Sequence, residues 1–204
     1  MPQGTSGIRA GSGDNLILDA GRVYVNIDIT ALEAAAPMDG TPVDAAVETA
    51  QMLGATQGGA SFDPGRTLRQ IELDGLLGPA RGFVRRQNSA PTITANLIET
   101  TVENFEIAIA GLITETVGEF TRITGGEIRD EHYLDNVAIV TRFKGSVTPI
   151  VIVVHNALVL AAPALNLQHG SEAVLAVTFT GHFDPLAADD EVWAIYHPGV
   201  DAPA

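Results

Sequence analysis

The sequence predicts a mainly β chain of the α+β class, a sandwich or barrel with one flanking helix, and three observations predict it. Apolar and polar residues alternate with period two in several separate segments. Glycine, proline and aspartate gather between those segments at turn positions. Only one segment joins helical spacing of its apolar residues to a capping signature. With 204 residues, 46% of them hydrophobic, the chain can build one sizeable core, and one domain is the natural expectation.

Glycine and serine dominate residues 4 to 13, so residues 1–15 are expected to form a mobile N-terminal arm. From Arg22 to Thr30, Val23, Val25, Ile27 and Ile29 alternate with polar or aromatic neighbours, the pattern of a half-buried strand. Residues 31 to 52 are alanine-rich and read as one or two short helices broken at Pro37 and Asp39-Gly40. Asp63-Pro64-Gly65 has turn chemistry, since proline presets φ and glycine accepts positive φ. Leu68 to Asp74 follows as a strand, Asp74-Gly75 opens a connection, and Gly82 to Arg86 returns as the next strand. Thr92 to Leu97 alternates again. Thr100 and Glu103 then have capping-box spacing, and Val102, Phe105 and Ile109 share a helix face, which predicts a helix over 101–110 ending at Gly111.

The strand signal resumes beyond that glycine. Val137–Lys144 and Val147–Val154, joined at Gly145-Ser146, read as a β-hairpin. Ala173 to Phe183 reads as a strand with Leu175, Val177 and Phe179 on one face. The expected organisation is the arm, a β domain over 16–184, and a C-terminal extension over 185–204 that packs on it. The longest apolar stretch, residues 149–165, is interrupted by His155, Asn156 and Pro163, so no membrane span is expected.

The residues that carry chemistry are scattered. The chain has no cysteine, which excludes disulfides and thiolate metal sites. Its five histidines, His132, His155, His169, His182 and His197, show no metal-ligand spacing. No nucleophile motif stands near His182-Phe183-Asp184, and Gly11-Ser12-Gly13 makes no phosphate-binding loop. Asp189-Asp190-Glu191 lacks the spaced ligands and glycine of a calcium loop. No enzyme activity, cofactor or metal is expected.

Charge is more informative. The formal net charge is −14, yet residues 63–86 carry five arginines against three acids, a local +2. Nucleic acid is a poor partner for that segment, because the rest of the chain repels phosphate and Phe83 is its one stacking aromatic. Two readings stay open. Arg81, Arg85 and Arg86 contact an acidic surface of another copy, a heterologous contact that generates rings or filaments; or they form local salt bridges to Glu72 and Asp74. Only 18% of residues are charged, which favours a subunit with faces buried against copies of itself.

The same segment, LGATQGGASFDPGRTLRQIELDGLLGPARG (Leu53 to Gly82), resembles the characteristic region of major tail proteins of long, non-contractile-tailed bacteriophages. The family shows an L-G-A-T-x-G-G run, found here at Leu53 to Gly59. An arginine-led strand ending in acidic-D-G follows at Arg69 to Gly75, and a G-P/V-[KR]-G turn at Gly78 to Gly82. Asn96 to Ala110 is similar to the family's strand-to-helix segment. Phe183-Asp184-Pro185 and Glu191 to Pro198 resemble its closing motif. Met52 stands where many members place an aromatic residue.

The resemblance implies a tail-tube subunit, a β-sandwich with one flanking helix. Its strands contribute to an intersubunit β-barrel, and its copies form hexameric rings that stack into a hollow tube. The implied partners are other copies of the chain and tape-measure, tail-tip and tail-terminator proteins, with duplex DNA passing through unbound. The implied location is the virion tail, assembled in the host cytoplasm. Carboxylates lining the bore would repel phosphates across roughly one Debye length, about 8 Å. Glu72, Asp74, Glu115 and Glu119 are the candidates for that lining, and Arg81, Arg85 and Arg86 for the contact between subunits or rings. Two alternatives remain: a related tube or connector protein of a contractile tail or secretion system, and a monomeric carbohydrate-binding β-sandwich. The second lacks the usual aromatic platform, since the chain has one tryptophan and three tyrosines.

Overall fold

The computed structural model describes residues 16–17, 19–34, 41–75, 78–142, 144, 148–165, 167, 169–170, 172–186 and 191–198. The expected N-terminal arm, the breaks at Pro37 and Asp39-Gly40, and the Gly145-Ser146 connection lie outside them. The first half of the chain runs β1 (Arg22–Val25), α1 (Ile29–Glu33), α2 (Thr41–Glu48), β2 (Gln51–Met52), β3 (Thr56–Asp63), β4 (Arg66–Gln70), β5 (Val84–Ser89) and β6 (Thr92–Leu97). The second half runs α3 (Val102–Ala108), β7 (Leu112–Val117), β8 (Phe120–Gly125), β9 (Leu134–Thr141), β10 (Ile150–Val159), β11 (Leu175–Gly181) and β12 (Trp193–Tyr196). The chain is mainly β, with antiparallel strand pairs and a few short helices.

Eight strands form the main sheet, in the order β2-β1-β9-β10-β11-β6-β3 with β12 also on β10. Strand β10 is its hub. One edge pairs with β9; the other pairs with β12 over Val151–Val154 and with β11 over Ala157–Val159. The change of partner falls at Asn156, which takes a φ of 47° within the strand, and its carbonyl accepts the His182 N–H at 3.1 Å. Of the C-terminal extension expected over 185–204, Trp193–Tyr196 form β12 of this sheet, and residues 187–190 and 199–204 lie outside the described residues.

Alternation decides burial here. Ile93, Ala95 and Leu97 of β6 and Leu175, Val177 and Phe179 of β11 are all buried, the last three as expected. They share a core with Val23 and Val25 of β1, Val137 and Ile139 of β9, and Val154, Ala157 and Val159 of β10. The sheet curls, so that β1, near one end of the strand order, comes back against β3 at the other. On the reverse face Tyr24, Ala138, Val151 and Val153 form a second cluster with Ile27 and Val43, covered by Ile29 and Leu32 of α1 and Val47 of α2.

This second layer corrects two expectations. The strand predicted from Arg22 to Thr30 stops at Val25, because Asn26 turns the backbone to a φ of 55°. Asp28 then caps α1, its carboxylate accepting the Ala31 N–H at 3.1 Å. The alternation in β1 is real but sorts residues between two cores, where the sequence had read core against solvent. The short helices read over residues 31 to 52 are present as α1 and α2, and because both cover the sheet's outer face, three helices flank the sheet where the fold class named one. Of these, α3 matches the expected helix, with Thr101 as the capping residue in place of Thr100: its hydroxyl accepts the Asn104 N–H at 3.2 Å. Buried Asn104 ties α3 down by donating to the Leu53 and Glu99 carbonyls at 3.1 and 2.7 Å.

Candidate assembly interface

Two hairpins, β4–β5 and β7–β8, stand apart from the main sheet as separate two-stranded sheets. The first starts at a tight corner. Gly65, at φ 54°, donates its N–H to Asp63 Oδ1 at 2.9 Å, and a Cβ there would lie 1.9 Å from the Ala90 carbonyl oxygen. Only glycine fits that approach. From the corner, β4 and β5 pair with one bulge, so that Leu68 faces Arg86, Arg69 faces Arg85 and Gln70 faces Val84. The Ile71 N–H donates to the Phe83 carbonyl at 2.8 Å and carries the register one step further. One face therefore presents Arg69, Arg85, Ile71 and Phe83, and the other Leu68, Arg86 and Val84. Every residue from 66 to 75 is exposed along with them.

The three arginines singled out from the sequence do not form one patch. Arg86 turns back to the C-terminal segment and meets Glu191 at 3.1 Å, an exposed ion pair worth about 0–1 kcal/mol. This is the local salt bridge that the sequence left open, made to Glu191 in place of Glu72 or Asp74. Arg85 lies on the opposite face, directly across from Arg69, a residue that sequence reasoning missed. Like charges directly opposite destabilise a hairpin, and neither arginine meets a carboxylate among the described residues. Arg81 sits in the turn near the tip. The signal for Arg69 lay in the register, which depends on the bulge and is not visible in composition.

The acidic candidates are divided between the two hairpins. Glu72 and Asp74 follow β4 and, with Gln70, Ile71, Leu73, Gly78 and Pro79, line a depression of about 390 Å³. Glu115 is in β7 and meets Arg122 of β8 at 3.2 Å, so its charge is locally offset. Glu119 occupies the two-residue Gly118-Glu119 turn, where Gly118 takes a φ of 65°. Glu72, Asp74 and Glu119 pair with no cation among the described residues.

The β7–β8 hairpin also exposes apolar groups. Its inner face approaches α3, with the Thr114 hydroxyl donating to Glu106 at 3.0 Å and Leu112 and Ile123 half-buried. Its outer face carries Ile113, 55% exposed, Val117, 49%, and Phe120, 78%. The Glu115–Arg122 pair lies between them. Those three apolar residues were not singled out from the sequence, although Leu112 to Val117 followed by Gly118 has the strand-and-turn pattern that would have found them.

Among the described residues, no group of three or more histidine, aspartate or glutamate side chains is placed to hold a metal ion, and no helix is long and apolar enough to cross a membrane. No protein-family model and no curated protein matches the chain.

Proposed function

We propose that the chain is a structural subunit of a phage tail tube: copies close into hexameric rings, the rings stack, and the tube conducts genomic DNA from the particle into its host. The observation that carries this reading is the pair of hairpins. Both leave the main sheet with open edges and with apolar side chains turned to water. Natural proteins cover such edges or blunt them. Within one chain the exposed apolar groups of both hairpins stay uncovered, whereas a ring gives each hairpin a neighbour. Hexamers, stacking, and the tape-measure, tail-tip and tail-terminator partners come from the resemblance of Leu53 to Gly82.

On this reading the curled sheet is a β-sandwich, and hairpin strands of neighbouring copies complete a barrel around the bore. Passage of DNA then needs repulsion, not catalysis. Glu72, Asp74 and Glu119 supply carboxylates that pair with no cation among the described residues, and Glu115, paired with Arg122, contributes less to the field. Negative-stain electron microscopy of the purified chain over a concentration series tests the reading, with and without a tail-initiator complex. Hollow rings or tubes of uniform width are expected. A chain that stays monomeric even with the initiator would overturn it.

A further inference from the structure

We infer that the cleft between α2 and the outer face of β1 and β9 binds a small zwitterion with an apolar body, of the apolar amino-acid or short-peptide class. The inference goes beyond the tube reading, since none of the residues that line this cleft belongs to either hairpin. The cavity measures about 470 Å³, within the range of about 300–1,000 Å³ usual for small-molecule sites. Four charged side chains line it: Asp19 ahead of β1, Arg22 of β1, Asp44 in the first turn of α2, and Arg142 just past β9.

Register brings the two arginines together. Arg22 pairs with Val140, and Arg142 is two residues further along, a diagonal neighbour on the same face at about 7–8 Å. At that spacing two guanidinium groups can converge on one carboxylate with their planar forks of donors. Backbone contacts place the acids. The Thr141 hydroxyl donates to the Asp19 carbonyl at 3.2 Å, and α2, which carries Asp44, accepts the Asp28 N–H on its Ala46 carbonyl at 3.0 Å. Among the described residues neither arginine forms an ion pair with these acids or with any other. Two cations and two anions therefore line one cleft without direct contact between opposite charges.

The lining selects the ligand. Its formal charge sums to zero, so a phosphate or dicarboxylate gains from the arginines and loses to the aspartates. A zwitterion engages both signs: its carboxylate lies between the arginines, and its ammonium turns to the aspartates. Val43 and Val47 of α2, with Val140 and Pro149, supply apolar surface for its body. Tyr24 also lines the cleft; it is 9% exposed, and its hydroxyl makes no hydrogen bond among the described residues. No buried side-chain oxygen among those residues lacks a partner, so this hydroxyl is the open end of the ring and is free to donate to the bound carboxylate.

Isothermal titration calorimetry of the purified chain at low salt tests this with leucyl-leucine and two capped forms, N-acetyl-leucyl-leucine and leucyl-leucinamide. The free dipeptide is expected to bind, and either cap should weaken it by about tenfold or more. Arg22→Gln with Arg142→Gln should erase the penalty of the amide cap, which removes the carboxylate, and keep that of the acetyl cap. Asp19→Asn with Asp44→Asn should do the reverse. All four side chains are exposed, so these variants are expected to keep the wild-type midpoint in urea, and the capping comparison on the wild type stands without them. No binding up to about 10 mM dipeptide, or equal affinity for free and capped forms, would overturn the inference. So would cap penalties that both variants leave unchanged, or tighter binding of inorganic phosphate than of the dipeptide. Weaker self-association of the arginine variant, with no dipeptide binding by the wild type, would overturn it too and assign the cleft to a second copy.

Discussion

Strands β6 and β7 are each six residues long and each carries apolar side chains on one face, yet those faces end in opposite environments. In β6, Ile93, Ala95 and Leu97 are buried between β11 and β3. In β7, Ile113 and Val117 stay in solvent, with Phe120 of β8 beside them. The difference comes from the neighbours. Strand β6 has a partner on each edge and a curled sheet over its apolar face, whereas β7 has only β8. A period-two pattern states that one face of a strand is to be covered; it does not state whether the cover belongs to the same chain. An alternating strand left uncovered by its own fold is a candidate for covering by another copy.

The sharpest way to break this comparison is to truncate one phenylalanine in each region. Phe179→Ala, which empties a fully buried site in β11, is expected to cost about 3–5 kcal/mol in urea unfolding. Phe120→Ala should change monomer stability by less than about 0.5 kcal/mol while weakening self-association. A comparable loss of stability in both would mean that the hairpin is covered within the chain.

A smaller effect is expected where the two faces of the main sheet meet. Asn136 is buried in β9; its amide oxygen accepts the Ile27 N–H at 2.9 Å and its amide nitrogen donates to the Ile27 carbonyl at 3.0 Å. It holds the corner between β1 and α1. Asn136→Ala leaves both backbone groups without that partner and is expected to cost about 1–3 kcal/mol in the same unfolding experiment. Asn88→Ala, on the exposed β5, should cost less than about 0.5 kcal/mol.

How much was legible follows the same division. Strand β6, the apolar face of β11, the β9–β10 pairing and α3 could be read because each is specified by local periodicity and, for α3, by a cap. The end of β1 could not, because Asn26 and Asp28 fit a strand pattern until their backbone and capping bonds are known. The two helices on the outer face were only half legible: alanine marks the segment as helical but not what it covers. The site was less legible still. Arg86 and Glu191 are far apart in sequence, so their pairing needed the fold. The Arg69–Arg85 opposition needed the register, which one bulged residue shifts.

A smaller expectation concerns that ion pair. Arg86→Ala should lower monomer stability by at most about 1 kcal/mol, and 0.5 M salt should remove most of the difference, because both partners are largely exposed. Measured self-association should change less for Arg86→Ala than for Arg85→Ala. The reverse order would place the contact on the other face of β4–β5, with Leu68 and Val84.

The last expectation concerns the main sheet's outer layer and is read by pH. Tyr196 of β12 donates its hydroxyl to Glu33 of α1 at 2.8 Å. Burial, and then the hydrogen bond to Glu33 and the negative charge of that carboxylate, push its pKa up to about 12. The folded-state value lies above the unfolded one, so the contribution to stability is complete below about pH 10 and is lost as pH rises through about 12. Tyr196→Phe should therefore show a shallower decline of stability than the wild type across that window, with little difference between the two slopes at pH 6–8. Absorbance titration of the native wild type should show one of its three tyrosines ionising near pH 12, a step absent from the variant. Identical alkaline slopes would mean that the hydroxyl does not hold α1 to β12, and that the helical cover rests on Ile29, Leu32 and Val47 alone.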